Sequence, residues 1–385
     1  MRIGVDATCW ANRRGYGRHA RSLLTTAISL DRSHCYVFFL DAGQDASDLP
    51  PGVEVVRVGT ATPAVQAASS GGHRSLADLW AMSRALSAPG FDCLLFPTVY
   101  TYVPVFSSAY KIVVIHDVIP ETFPEHVFPT ATGRFNWSLK SLAARRQADL
   151  ILTVSEYSRQ GILKRFGERP ERVKVVGEAS DPVFRVLADA VPNPERLLVF
   201  VGGFSPHKNL LGLLEAFSRV IDGGNHSDSR LVLVGDYQGD AFHSCYRQVW
   251  EQASRPPLAG RVEFAGFLPD EDLVRLLNRA TALVLPSFLE GFGLPAIEAA
   301  ACGLPVIATA ASPLPQLLGE GALFFDPHDI AALAQALGRV LDDPALRGRL
   351  RENGLRAAAA LSWNRAAQDL VAILDQAAHQ HAQAA

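Results

Sequence analysis

FLEGFGLPAIEAAACGLP, residues 288–305, decides how the chain is to be read. It follows a short apolar run, 282–285, closed by Pro286-Ser287, and leads from a glutamate through a Gly-aromatic-Gly turn into a proline and an alanine-rich helical stretch. The order is strand, loop, helix. Proline suits a first helical turn, where its missing N–H is an unpaired position anyway, so Pro295 marks the helix start. The amides of Phe292, Gly293 and Leu294 then point at an anion, helped by the helix dipole. Glu290 precedes this seat and Glu298 lies one turn inside the helix.

A phosphate seat flanked by two carboxylates suits a ligand with a diphosphate in its middle and hydroxyl-rich sugars at both ends, as in a nucleotide sugar. Taken singly, Glu298 could simply favour the helix dipole and Glu290 could be a solvated loop residue. Together with the glycines and prolines the pattern is far more specific. EGFGLPAIEAAACGLPVIAT resembles the Glu-(seven residues)-Glu motif of the family-4 retaining glycosyltransferases. That resemblance implies the GT-B fold, two facing Rossmann-like domains of doubly wound parallel sheet, with a C-terminal helix crossing back onto the first.

The length agrees, since 385 residues are too many for one ordinary domain and comfortable for two. A hydrophobic share of 48% against 19% charged residues is an ordinary globular balance. A net charge of −3 gives no general attraction to nucleic acid, so anion binding must rest on local basic clusters. Five cysteines at 9, 35, 93, 245 and 302, odd in number and without CxxC spacing, argue against a disulfide framework and for a reducing cytoplasm. MRIGVDATCW lacks a secretory pattern and no apolar run reaches the ~18 residues that span a bilayer, so the expectation is a soluble chain.

Strand-like and helical runs alternate throughout. Strands are expected at 2–5, 35–40, 53–58, 93–96, 112–115 and 150–154, with helices at 18–30, 76–86 and 133–146. Such alternation argues for parallel α/β sheets. EASDPVFRVLADAVPNP, 178–194, has three prolines and no period, and the interdomain linker is placed there. A second series follows: strands at 197–201, 231–234, 262–264, 282–285, 306–309 and 322–325, helices at 209–220, 242–252, 270–279, 315–318 and 330–341. The expected division is 1–185 for the first domain, joined by a last helix, 363–385, and 190–362 for the second.

Ligands of open doubly wound sheets sit beyond the carboxyl ends of the strands. Three loops there carry residues that make poor structural sense. In GGFSPHKN, 202–209, Ser205 is a good N-cap and Pro206 a good first residue, which puts His207 and Lys208 in a helical first turn. A cation there opposes the dipole by roughly 0.3–1 kcal/mol, and a bound phosphate reverses the sign. Lys208 is therefore read as a diphosphate ligand, near Gly203, Phe204 and Ser205. The segment resembles the family's glycine-then-Arg/Lys-Lys-Asn stretch, departing from it in having His207 where many members have arginine.

The second loop, NRRGYGRH at 12–19, sets Arg13, Arg14 and Arg18 against a helix N-terminus, and its glycines permit close backbone approach. It resembles the family's Gly-x-Gly-Arg loop, which implies that Gly15 and Gly17 lie over the donor phosphates while Tyr16 and Arg18 border the acceptor. A nicotinamide fingerprint fails because the third glycine is missing. The third is His116-Asp117, closing an apolar strand. VVIHDVIPETFPE resembles the family's His-Asp strand end, which implies that His116 is catalytic, near the reacting sugar carbon, with Asp117 on the acceptor side.

Smaller signals fit the same picture. Ser155 caps the helix after a Thr-Val-Ser segment. VEFAGFLPDEDL resembles the loop that meets the base near Phe267 and Leu268, and VGDYQGD brings Asp236 to the nucleotide pocket. Asp270-Glu271-Asp272 spells a D-x-D metal motif of another glycosyltransferase fold, but acids are expected at a helix start after Pro269, so no metal role follows.

Family resemblance thus implies a retaining hexosyltransferase needing no cofactor or metal, with the donor held mostly by the second domain, the acceptor by the first, and water excluded on closure. Glu290 would orient the sugar, Glu298 take the ribose diol, and Lys208 meet the diphosphate. The arrangement resembles the branch using GDP-mannose in bacterial exopolysaccharide or lipopolysaccharide assembly, with a saccharide or lipid-linked saccharide acceptor. The expected place is the cytoplasm, with peripheral contact of the inner membrane open through Arg134, Lys140, Arg145 and Arg146. A nucleotide-sugar epimerase of the same fold and a non-catalytic nucleotide-sugar-binding protein remain the alternatives.

Overall fold

The computed structural model describes residues 1–12, 15–64, 75–188, 196–223, 226–237 and 243–384, the side chains of the last six apart. The first sheet contains β1 (Arg2–Asp6), β2 (Cys35–Asp41), β3 (Glu54–Val58), β4 (Cys93–Phe96), β5 (Tyr110–Val114), β6 (Leu150–Thr153) and β7 (Val173–Val175). They pair in the order β3-β2-β1-β4-β5-β6-β7, every pair parallel. CLLF and LILT, in β4 and β6, are buried at every position, as strands covered on both faces must be.

The second sheet contains β8 (Leu197–Val201), β9 (Arg230–Val234), β10 (Val262–Gly266), β11 (Ala282–Leu285), β12 (Val306–Thr309) and β13 (Ala322–Phe325). Its order is β10-β9-β8-β11-β12-β13, again parallel throughout. In each sheet the first strand of the series lies inside, so the chain reverses direction across the sheet beside β1 and beside β8. Loops on either side of such a reversal open toward one another.

Two compact units result: Met1–Glu121 with Phe128–Glu178 and Ser362–Ala385, and Thr122–Val127 with Ala179–Leu361. The division falls at 178/179, not at 185. Hydrogen bonds explain the shift: Asn278 Nδ2 donates to the Arg185 carbonyl at 2.9 Å and Asn278 Oδ1 accepts from the Leu187 amide at 2.8 Å, so the segment expected as linker already belongs to the second unit. Thr122–Val127 joins that unit too, since Phe123 and His126 pack on Phe288 with ring centroids 6.0 and 5.7 Å apart.

The last helix, Trp363–Ala384, packs on helix Gly15–Leu30 of the first unit. Lys174 Nζ, in β7, donates to Gln376 Oε1 at 2.7 Å. Helix Pro344–Ala359 is absent from the sequence expectation. Its stretch PALRGRLRENGLRAAA has two glycines and no clean apolar stripe, yet Asp343 caps it, accepting from the Leu346 amide at 2.8 Å. Gly321 is there for packing against this helix: a Cβ on it would meet the Gly354 Cα at 2.7 Å. Among the described residues no helix is long and apolar enough to cross a membrane.

Candidate active site

In the second unit the reversal lies between β8 and β11, and the loops after these strands are GGFSPHKN and PSFLEGFG. Lys208 Nζ meets Glu290 Oε1 at 2.7 Å, and the Ser287 hydroxyl donates to the same oxygen at 2.5 Å. The loops are also joined through their backbones, the Phe288 amide donating to the His207 carbonyl at 2.9 Å. Glu290 is 7% exposed, so its carboxylate is desolvated and gains from both partners. The Glu290 amide donates to the Ala311 carbonyl at 3.1 Å, which fixes the loop from below.

The expected first-turn position of Lys208 is corrected. Pro206–Lys208 forms a separate 3-10 turn, and the helix proper is Leu210–Asp222. Asn209 breaks the two apart, held left-handed at φ 54° while its Nδ2 donates to the carbonyls of Pro286 and Pro327 at 3.1 and 3.0 Å. Ser205 is buried and its side chain caps nothing; its carbonyl accepts from the Lys208 amide at 2.9 Å. Lys208 is thus placed by its ion pair and not set against a helix dipole.

His207 adds no second charge at neutral pH. Burial, then the Lys208 charge, then His126 push its pKa well below the usual imidazole value. Phe204 is 0% exposed, edge-on to Tyr237 and Tyr246 at 5.8 and 5.6 Å, so its ring supports the loop. Its carbonyl is engaged by the Cys245 amide at 2.8 Å. Gly203 is half-buried beside it. At the end of β9, Gly235 must be glycine, because a Cβ would meet the Gly202 carbonyl oxygen at 1.8 Å. That close approach brings half-buried Asp236 alongside the loop, and beyond β10 stand Phe267, 54% exposed, and half-buried Leu268.

Helix Leu294–Ala301 starts one residue before Pro295. Gly293, at φ 85°, forms its N-cap, a left-handed position that favours glycine. A Cβ there would also press on Leu314 at 2.8 Å. Phe292 is buried, and the amides of Gly293 and Leu294 belong to the helix N-terminus as expected. Glu298 is buried on the same helix, and its charge contributes to raising the pKa of Cys302, after burial.

In the first unit, helix Gly15–Leu30 and the segments after β5 and β7 bring three groups together of which the sequence reading had only one. His116 Nε2 lies 3.2 Å from the Pro97 carbonyl, and its Nδ1 is 3.9 Å from Glu178 Oε1. His19 Nδ1 is 2.8 Å from the same oxygen, and the two rings meet edge to face at 4.9 Å. Burial, then the His19 ring, push the His116 pKa down to about 3, outweighing the Pro97 carbonyl, so this imidazole is neutral at pH 7. His19 had a weak signal, being part of the GYGRH loop. Glu178 had none, an isolated acid at the edge of an aperiodic stretch.

Gly17 earns its place differently from the expectation. A Cβ there would meet the Asn12 carbonyl oxygen at 1.9 Å, so the glycine serves helix packing; around Gly15 nothing lies within 4 Å. Tyr16 stacks on Tyr100 at 5.2 Å and its hydroxyl accepts from Asn12 Nδ2 at 2.5 Å. Arg18 is half-buried on helix Gly15–Leu30. Asp117 Oδ1 accepts from the Ile119 amide at 2.8 Å, which gives it a turn-capping role. Arg13 and Arg14 lie outside the described residues.

Residues 188–357 match the family described as glycosyl transferases group 1. The O-antigen chain mannosyltransferase B of Escherichia coli is 32% identical over 260 residues, 64% of this chain and 65% of that protein. An MMP alpha-(1->4)-mannosyltransferase of Mycolicibacterium hassiacum is 33% identical over 60% of this chain and 55% of its own length. The matched part is thus less than two thirds of the length of these relatives. Sucrose-phosphate synthase from Thermosynechococcus elongatus superposes with a TM-score of 0.76 at 21% identity, covering 98% of each chain. At that identity the likeness carries the fold, the GT-B type with two doubly wound units.

Proposed function

We propose, from the match of residues 188–357 to the group 1 glycosyl transferases, an enzyme that moves a hexose from a nucleoside-diphosphate sugar to a saccharide or lipid-linked saccharide, with retention of anomeric configuration and without a metal. The observation that carries the reading is the Lys208–Glu290 pair at 2.7 Å beside the N-terminus of helix Leu294–Ala301. One cation, a set of helix amides and one carboxylate stand together where a sugar diphosphate needs all three.

The chemistry follows from charge. Breaking the anomeric bond leaves a diphosphate of growing negative charge and a sugar with oxocarbenium character. Lys208 and the amides of Gly293 and Leu294 stabilise that charge where it develops. Glu290 orients the sugar hydroxyls, and Glu298 takes the ribose diol. Phe267, Leu268 and Asp236 line the base end. Neutral His116 of the first unit accepts a hydrogen bond at the reacting sugar through Nδ1, and Tyr16 and Arg18 serve the acceptor. The leaving phosphate removes the acceptor proton on the same face, so no protein nucleophile is required.

GDP-mannose is the proposed donor. What favours it is the relatives' names, an O-antigen chain mannosyltransferase and a serotype-specific mannosyltransferase among them. The reaction then belongs to cell-surface polysaccharide assembly on the cytoplasmic side. Incubating the protein with a panel of nucleotide sugars and a mannose-terminated acceptor, then reading product linkage by NMR, tests the proposal. An α-mannoside formed equally well with and without EDTA is expected. Isomerised donor without transfer would replace this reading by an epimerase.

A further inference from the structure

The described residues contain one more arrangement with the makings of a site. His19, His116 and Glu178 each offer a ligand atom, and the three atoms lie within 4.8 Å of one another. All three belong to the first unit, on three different supports: helix Gly15–Leu30, the end of β5, and the segment after β7. They are 2%, 12% and 8% exposed at the side chain, so a bound ion would be largely shielded from water.

The proton positions make the cluster unusual. The Pro97 carbonyl only accepts, so His116 Nε2 donates to it and Nδ1 is left facing Glu178. Two potential ligand atoms therefore face each other at 3.9 Å. His19 Nδ1 approaches the same carboxylate oxygen to 2.8 Å yet makes no directed hydrogen bond there. A ring whose second nitrogen donates to a backbone carbonyl is how metal-bound histidines are held. Two imidazoles and one carboxylate, with a fourth position open, form a known donor set for zinc.

We propose that His19, His116 and Glu178 form a binding site for a first-row divalent ion, zinc first, and that zinc there inhibits the enzyme. Bond lengths of ~2.0–2.1 Å in a tetrahedron put ligand atoms ~3.3 Å apart, so side-chain rotations suffice to close the set around an ion. The inhibition, unlike the binding, rests on the role proposed for His116: the ion takes the Nδ1 lone pair and fixes the ring away from the sugar. The ion is an antagonist of the transfer and no part of its chemistry.

The test uses the full chain, stripped with EDTA and dialysed. Zinc is titrated in competition with a chromophoric chelator, and cobalt(II) is added separately as a spectroscopic probe. One tight equivalent and the intense visible bands of four-coordinate cobalt are expected. His19→Gln, Glu178→Gln and His116→Ala should each weaken zinc binding at least tenfold. Uptake unchanged in all three, or a weak six-coordinate cobalt spectrum in the wild type, overturns the site. Should a variant fail to fold, the wild-type cobalt spectrum still decides. Nucleoside-diphosphate release from GDP-mannose is followed with zinc and again after EDTA. Reversible loss supports the inhibition. Tight binding without inhibition keeps the metal site and removes His116 from the reaction.

Discussion

The Lys208 ammonium stands 2.7 Å from Glu290 Oε1, joining two loops that the sheet order brings side by side. The pair fixes a cation and a carboxylate in one place before any ligand arrives. Lys208→Ala leaves a buried carboxylate with the Ser287 hydroxyl as its remaining side-chain partner among the described residues. With Lys208 itself 20% exposed at the side chain, the expected cost is about 1–3 kcal/mol, below that of a fully buried pair. Chemical denaturation checks this, and Lys208→Met with Glu290→Gln should recover much of the loss. Single and double variants of equal stability would mean the pair contributes nothing.

Glu298 should act on the nucleoside and not on the phosphates. Glu298→Gln is expected to weaken a nucleoside diphosphate about tenfold or more, the worth of a hydrogen bond to a charged group, while inorganic pyrophosphate binds as before. Calorimetry with both ligands separates the two. Equal losses would place Glu298 in support of the loop.

The two neutral imidazoles set the acid limb of stability. An unfolded histidine takes up its proton near pH 6.5, whereas folded His207 titrates well below that and His116 at about 3. Below about pH 6.5 the unfolded state therefore binds more protons, and stability falls as pH falls until the folded values are crossed. Each group adds a slope of up to ~1.4 kcal/mol per pH unit. Urea unfolding from pH 7.5 to 4.5, in EDTA, should show the decline, and replacing His207 by Gln should make it shallower.

Two glycines in the first turn of helix Gly15–Leu30 should respond oppositely. Gly17→Ala drives a Cβ against the Asn12 carbonyl, a backbone atom, and is expected to cost about 1–3 kcal/mol. Gly15→Ala meets nothing within 4 Å and should be neutral or stabilising by up to ~1 kcal/mol. Thermal unfolding of the two variants distinguishes packing from ligand approach as the reason for the pair.

Much of this was readable in advance because strands buried on both faces are plain apolar runs: Cys93–Phe96, Leu197–Val201, Ala282–Leu285 and Val306–Thr309 have the expected ends. Lys208 and Glu290 were legible as chemistry, since both stand in glycine-rich loops after such runs. Their contact was not, because it depends on strand order. The turn at Lys208 departs from the expectation because Asn209 adopts a left-handed conformation, held by its bonds to Pro286 and Pro327. Helix Pro344–Ala359 was hidden by arginines and glycines, its Asp343-Pro344 start signal notwithstanding. Glu178 became visible only through the two histidines that the fold delivers to it.

The central claim is that Lys208 grips a sugar diphosphate. Titrating GDP into the wild type and into Lys208→Ala by isothermal calorimetry tests it most directly. Saturable binding that weakens at least tenfold in the variant is expected. Equal affinity in the two proteins, with the variant shown to be folded, would contradict it.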